Sequence, residues 1–153
     1  MSKIKKVMVA VDFSEYSPQV VDYAGRLAEN LAAELVCVNV IHKRDVDMVK
    51  QVGAFTDKIS VKSYVDSLKQ DRTQEMQKLL EEKNCNRIPN RFIIKTGIPF
   101  QELIRTAEEE KVDMVVMGTK GRGNIAGILF GSQAEKMFRH CPVPLLSIRE
   151  KPE

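Results

Sequence analysis

Tryptophan is absent from this 153-residue chain, and aromatic residues make up only 6% of it. The few aromatics are not interleaved with basic residues, which excludes a stacking platform for single-stranded nucleic acid. Cysteine is scarce: Cys37, Cys85 and Cys141 show no CxxC spacing, and an odd number does not build a disulfide framework. Cys37 and Cys141 read as small buried groups, Cys141 with some scope for reactivity. His42 and His140 are the only histidines, with no HExxH pattern and no adjacent triad, so each reads as a surface or helix-end residue. Long apolar runs are missing too. The first, Val7 to Val11, stops at Asp12, too soon for a signal peptide or a bilayer span, and no later stretch is long enough. No membrane role is therefore expected, and the expected compartment is the cytoplasm. Charge of one sign never accumulates: the net charge of +3 comes from intermixed residues. The runs around Lys3, Lys5 and Lys6 and at Glu108, Glu109 and Glu110 read as solvated faces, so no nucleic-acid partner is expected.

What is present suits one folded unit. An apolar share of 43% and a charged share of 29% are ordinary for a globular protein, and the length fits one domain over 1–153. Lys6 to Val11 is a Val-rich apolar run, as a strand covered on both faces requires. Ser17 before Pro18 marks a helix start, the serine hydroxyl serving as cap. That helix turns Val20, Val21, Ala24, Leu27, Ala28 and Leu31 to one side. Leu35 to Ile41 is a second strand. The stretch 42–63 reads either as a short helix around Val46 to Val52 or as a mobile flap, since a structureless loop of that length is unusual. A helix follows from near Tyr64 to about Lys83, then a strand from Arg91 to Lys95. Pro99 opens a helix ending near Lys111, and Asp113 to Met117 is the fourth strand. A last helix spans Ser132 to about His140, and Pro142 and Pro144 separate it from the strand Val143 to Ile148. The alternation specifies an α/β, doubly wound, Rossmann-like domain with a parallel sheet and helices on both faces. Ligands of such sheets bind beyond the C-terminal strand ends, where the winding reverses. Two segments fall there: Asp12, Phe13 and Ser14 after the first strand, and the glycine-rich stretch after the fourth.

Gly118, Gly121, Gly123, Gly127 and Gly131 crowd that stretch. Glycine lets a ligand approach the main chain, and successive exposed N–H groups make an anion nest. The stretch feeds a helix at Ser132 whose first N–H groups favour a phosphate, with Lys120 and Arg122 nearby to add positive charge. Ser132 and Glu135 also form a capping-box pattern, so Ser132 reads either as a cap or as a ligand contact. Asp12 likewise reads as a ligand contact or as the acceptor of an Asx turn at Ser14. Walker A is excluded because Lys120 precedes Gly121 and no Gly-Lys-Ser/Thr occurs. A dinucleotide fingerprint is excluded because the glycines follow a late strand with no acidic residue a strand later. The scattered carboxylates form no acid/base pair, and the methionines sit mainly at core-facing positions.

The stretch Met117 to Ser132 resembles the ATP-binding loop of universal stress proteins. Gly118, Gly121, Gly131 and Ser132 match that family's Gly, two residues, Gly, nine residues, Gly-Ser/Thr pattern without a gap. Val9 to Ser14 is similar to the family's opening segment, and Ala134 to Lys136 and Arg139 to Pro144 to its closing one. The resemblance implies a five-stranded parallel sheet of order 3-2-1-4-5, a homodimer, and ATP (or AMP or ADP) at the sheet's C-terminal edge. It implies that Asp12 and the main chain of Val40 meet the nucleoside and that Met117 and Gly118 border the ribose. Gly121, Gly131, Ser132 and Gln133 would hold the phosphates, with magnesium or manganese bound mainly through phosphate oxygens. Lys120 stands where many relatives have histidine. The function implied is a nucleotide-dependent stress-response regulator, not an enzyme, dimerising through Val143 to Ile148. The alternatives are a nucleotide-independent dimeric interaction module and a slow ATPase.

Overall fold

The computed structural model describes residues 3–53, 61–119 and 132–149. Their elements follow in the order β1 (Lys6–Ala10), α1 (Ser17–Leu31), β2 (Glu34–His42), α2 (Lys43–Gly53), α3 (Val61–Glu82), β3 (Asn90–Gly97), α4 (Pro99–Glu109), β4 (Met114–Gly118), α5 (Ser132–His140) and β5 (Leu145–Ile148). The strands form one five-stranded sheet in the order β3-β2-β1-β4-β5, every neighbouring pair parallel. This is the doubly wound order expected, with β1 and β4 side by side where the winding reverses.

Strand periodicity assigns each side chain to a layer. Val7 and Val9 of β1, Leu35 and Cys37 of β2 and Val116 of β4 face Val20, Val21, Ala24 and Ala28 of α1 and Met76, Leu79 and Leu80 of α3. The alternate residues Met8, Val36, Val38, Val115 and Met117 face Leu103 and Ala107 of α4 and Ala134 and Met137 of α5. Val7, Met8 and Val9 have no exposed surface at all, which explains why β1 reads as a continuous apolar run. Each such buried side chain contributes about 1.5–3 kcal/mol relative to exposure. Gly25 lets α1 sit against the chain that follows α3, because a Cβ there would collide with Cys85 Sγ. At the sheet's N-terminal edge, Asp113 accepts from the backbone N–H of Lys5 at 2.7 Å and of Lys6 at 2.9 Å, tying the entry of β4 to that of β1. Those two donors hold the Asp113 carboxyl below its ordinary range.

Three expectations change and one alternative is decided. Ser17 caps nothing: Tyr16 occupies the N-cap with no side-chain cap bond, and the Ser17 hydroxyl donates instead to Asp12. The carboxylate is the stronger acceptor, and the turn before the helix brings it within reach. β2 passes directly into α2, so the short-helix alternative holds from Lys43 to Gly53; residues 54–60 lie outside those described. α3 begins at Val61 rather than Tyr64. β5 begins only at Leu145, since Pro144 has no N–H to give the ladder. Among the described residues, no helix is long and apolar enough to cross a membrane.

Candidate functional site

A cleft of about 490 Å³ opens at the C-terminal edge of the sheet, over the strands where the winding reverses. That volume lies within the range of small-molecule sites. Its floor is Ala10 and Val11 of the first strand's exit, Val38 to Val40 of β2, and Met117, Gly118 and Thr119 at the end of β4. Its walls come from the β1–α1 turn, the starts of α4 and α5, and two arginines, Arg44 and Arg72.

The β1–α1 turn is built around Asp12. One carboxylate oxygen, Oδ1, accepts from the Ser14 backbone N–H at 2.9 Å and from the Ser17 hydroxyl at 3.0 Å. Ser14 Oγ in turn accepts from the Tyr16 N–H at 3.3 Å, and the Ser14 carbonyl from the Ser17 N–H at 3.1 Å. Between them Phe13 takes a left-handed backbone with φ 58°. For a bulky residue that conformation costs about 1–3 kcal/mol and persists only where its surroundings enforce it. Its ring packs on the α1 side of the core, beneath the guanidinium of Arg72 at 6.0 Å.

Asn39 is the polar residue set deepest into the floor, with 2% of its surface exposed. Its side-chain N–H donates to the Val11 carbonyl at 2.6 Å, and its oxygen accepts from Arg72 Nη1 at 2.8 Å. Both ends of a buried amide are thereby used, as burial demands. On the opposite wall Gln133, in the first turn of α5, accepts through Oε1 from the Phe100 N–H at 2.9 Å. Phe100 lies in the first turn of α4, where backbone donors have no helical partner, so Gln133 bridges the starts of the two helices. At the rim His42 Nδ1 accepts from the Arg44 N–H at 3.1 Å, and Arg44 pairs with Asp45 at 3.8 Å.

Of the residues singled out from the sequence, Asp12, Ser14, Val40, Met117, Gly118, Ser132 and Gln133 line this one cleft. Phe13 does not; it turns into the core and serves the turn's shape. Lys120, Gly121, Arg122 and Gly131 lie outside the described residues. Asp12 fulfils the Asx-turn reading, its side chain bonded to Ser14. Sequence reasoning missed Asn39, Arg72, Arg44, Asp45 and Thr119; His42, read as a surface or helix-end residue, stands directly before α2 and also borders the cleft. For Arg72 a signal existed: it stands four residues after Leu68 and four before Met76, inside the apolar stripe of its helix. Among the described residues no group of three or more His, Cys, Asp or Glu lies together as a metal site. The three thiols are far from activated: burial is the leading cause that pushes Cys37, Cys85 and Cys141 all upward.

A family model described as the universal stress protein family matches residues 3–149. The universal stress protein MJ0577 of Methanocaldococcus jannaschii is 28% identical over 155 residues, covering 96% of each chain. The solved structure of MJ0577 superposes with a TM-score of 0.81 at 25% identity, covering 99% of this chain and 100% of that one. Two further structures share the fold. A universal stress protein in complex with cAMP has a TM-score of 0.64 at 22% identity, covering 98% and 100%. A universal stress protein from Archaeoglobus fulgidus in complex with dAMP has a TM-score of 0.63 at 13% identity, covering 95% and 98%.

Proposed function

The chain belongs to the universal stress protein family, and from that premise we propose that it binds an adenine nucleotide, ATP foremost, in the cleft at the sheet's C-terminal edge. The observation that carries the reading is the convergence there of the β1 exit, the β4 exit and the start of α5 on one cleft of about 490 Å³ lined by polar and apolar groups together. Relatives of the same fold held cAMP and dAMP, which supports an adenosine phosphate as the ligand class. In this reading Asp12, Ser14 and the main chain of Val40 meet the nucleoside, and Met117 and Gly118 border the ribose. Gly121, Gly131 and Ser132 hold the phosphates with help from Lys120 and Arg122. Gln133 uses its carbonyl oxygen to bind α4, which leaves the amide nitrogen as the end suited to an anion. Magnesium or manganese would be held mainly by phosphate oxygens.

The bound nucleotide acts as a signal and not as a substrate to be turned over. Regulation passes through a homodimer formed along β5, the outer strand of the sheet. Edge strands need covering, and Phe138 of the preceding helix is an apolar side chain left 71% exposed.

Two measurements test this. Mass spectrometry of small molecules released from the purified, denatured protein should find an adenine nucleotide. ATP with magnesium at a hundred times its dissociation constant should stabilise the fold by about 2.7 kcal/mol, raising Tm by roughly 5–10 °C for a chain of this size. No released nucleotide together with no thermal shift sinks the nucleotide reading. A monomer at micromolar concentration in sedimentation sinks the dimer.

A further inference from the structure

We infer that Arg72 is a positioning residue for the nucleoside half of the cleft, acting through Asn39 and Phe13 to hold the turn that carries Asp12. The inference rests on the nucleotide reading and adds to it a residue from α3, a helix in which the sequence predicts no site residue.

Three observations meet at Arg72. First, its place in α3 is the inward stripe, in line with Leu68, Met76, Leu79 and Leu80, of which the last three are buried. A charged residue at such a position is retained where its head reaches a polar site beyond the core's edge, and the stem of Arg72 leads its guanidinium to the cleft. Second, the guanidinium donates to Asn39, and Asn39 donates to the Val11 carbonyl, the last peptide before Asp12. The chain α3, β2, β1 exit is thus closed by two hydrogen bonds of 2.8 and 2.6 Å around an amide with 2% exposure. Donors and acceptors in such a chain polarise one another and share one geometry. Third, the same guanidinium lies over the ring of Phe13, whose left-handed backbone needs external support. One side chain therefore reaches both neighbours of Asp12, Val11 through Asn39 and Phe13 through its ring.

Direct contact with phosphate would give Arg72 a different signature. A cation touching phosphates loses affinity in proportion to ligand charge and salt, whereas a positioning residue weakens adenosine, AMP and ATP alike.

The test uses full-length protein and titrates adenosine, AMP and ATP against wild type, Arg72→Met, Arg72→Lys, Asn39→Leu and the Arg72→Met/Asn39→Leu double variant. Arg72→Met should weaken all three ligands by one common factor of about tenfold. Arg72→Lys, which keeps a cationic donor of similar reach for Asn39 and Phe13, should recover most of the loss. The double variant should lose no more than Arg72→Met alone, because Asn39 acts on the chain of bonds that Arg72→Met already breaks. Hydrogen exchange of residues 12–16 without ligand supplies a readout independent of binding: it should speed up in Arg72→Met and stay near wild type in Arg72→Lys. A loss that grows with the number of phosphates overturns the inference, as does unchanged affinity or unchanged exchange in Arg72→Met. Should wild type bind none of the three ligands, the nucleotide reading fails, and the exchange result still decides whether Arg72 holds the turn.

Discussion

Replacing Asp12 separates what the turn needs from what a ligand needs. Asp12→Ala removes the acceptor of two hydrogen bonds, from the Ser14 N–H at 2.9 Å and the Ser17 hydroxyl at 3.0 Å. Each is worth about 1 kcal/mol net, the lower figure being apt because Asp12 is only half-buried. Ser17 is 4% exposed, so its hydroxyl also loses its partner out of reach of water, adding about 1 kcal/mol or more. The sum is about 3 kcal/mol, or a fall in Tm of roughly 6–12 °C for a chain near 150 residues.

Asp12→Asn keeps an oxygen where Oδ1 stands and removes only the charge, so its Tm should fall by no more than about 3 °C. Its affinity for ATP should nonetheless drop by about five- to tenfold, since a hydrogen bond to a charged acceptor exceeds one to a neutral acceptor by about 1 kcal/mol. Thermal melts followed by circular dichroism, paired with calorimetric titration of ATP, measure both. If the Asn variant melts as low as the Ala variant, charge and not acceptor geometry holds the turn. If the Ala variant melts with wild type, the account of the turn is wrong.

Three further outcomes follow from single contacts. Gln133→Glu keeps the acceptor for the Phe100 N–H but sets a negative charge where phosphates are proposed, so ATP affinity should fall while adenosine affinity and Tm stay near wild type; equal losses for both ligands would count against phosphate at that wall. The Asp113 carboxyl is held low by the Lys5 and Lys6 N–H groups, so its stabilisation is present above the ordinary value of 3.8 and is lost as pH falls below it. Asp113→Asn should therefore melt below wild type at pH 7, with the gap closing in melts taken toward pH 3. Gly25→Ala gains about 1 kcal/mol of helix propensity but meets Cys85 Sγ, an overpacking cost of about 1–3 kcal/mol. Its Tm should drop, and adding Cys85→Ala should recover part of that loss.

The strands were legible because burial on both faces leaves a mark that periodicity cannot hide: Val7 to Val11 and Leu35 to Ile41 are apolar almost without interruption. Helix starts were legible where proline forced them, at Pro18 and Pro99. The cap at Ser17 was misread because the Ser-Pro pair carries the local signal of a cap, while the hydroxyl's true acceptor, Asp12, is brought close only by the turn. Asn39 and Arg72 were overlooked for a related reason. Each is a single polar residue inside an apolar pattern, and its meaning lies in a partner 33 positions away in the chain. His42, Arg44 and Asp45 escaped because nothing in the sequence says that β2 runs into α2 without a loop.

In the proposed reading, the nucleoside half of the cleft is made by strand ends tied across the sheet: Asn39 to Val11, and the Thr119 N–H to the Ile148 carbonyl at 3.0 Å. The first is a buried side-chain bond and the second extends the β4–β5 ladder, and the core clusters on both faces press against the same strands. Groups held that way cannot shift toward a ligand without disturbing the sheet, so they discriminate by shape and hydrogen bonding. Substitutions there should change affinity for the bare nucleoside as much as for its phosphates. Substitutions on the α5 side, beginning with Gln133, should instead scale with phosphate number. If the nucleotide reading holds, base and ribose selection falls to the sheet and the charge-dependent energy to the helix start, and measured affinities for adenosine, AMP and ATP would show the division directly.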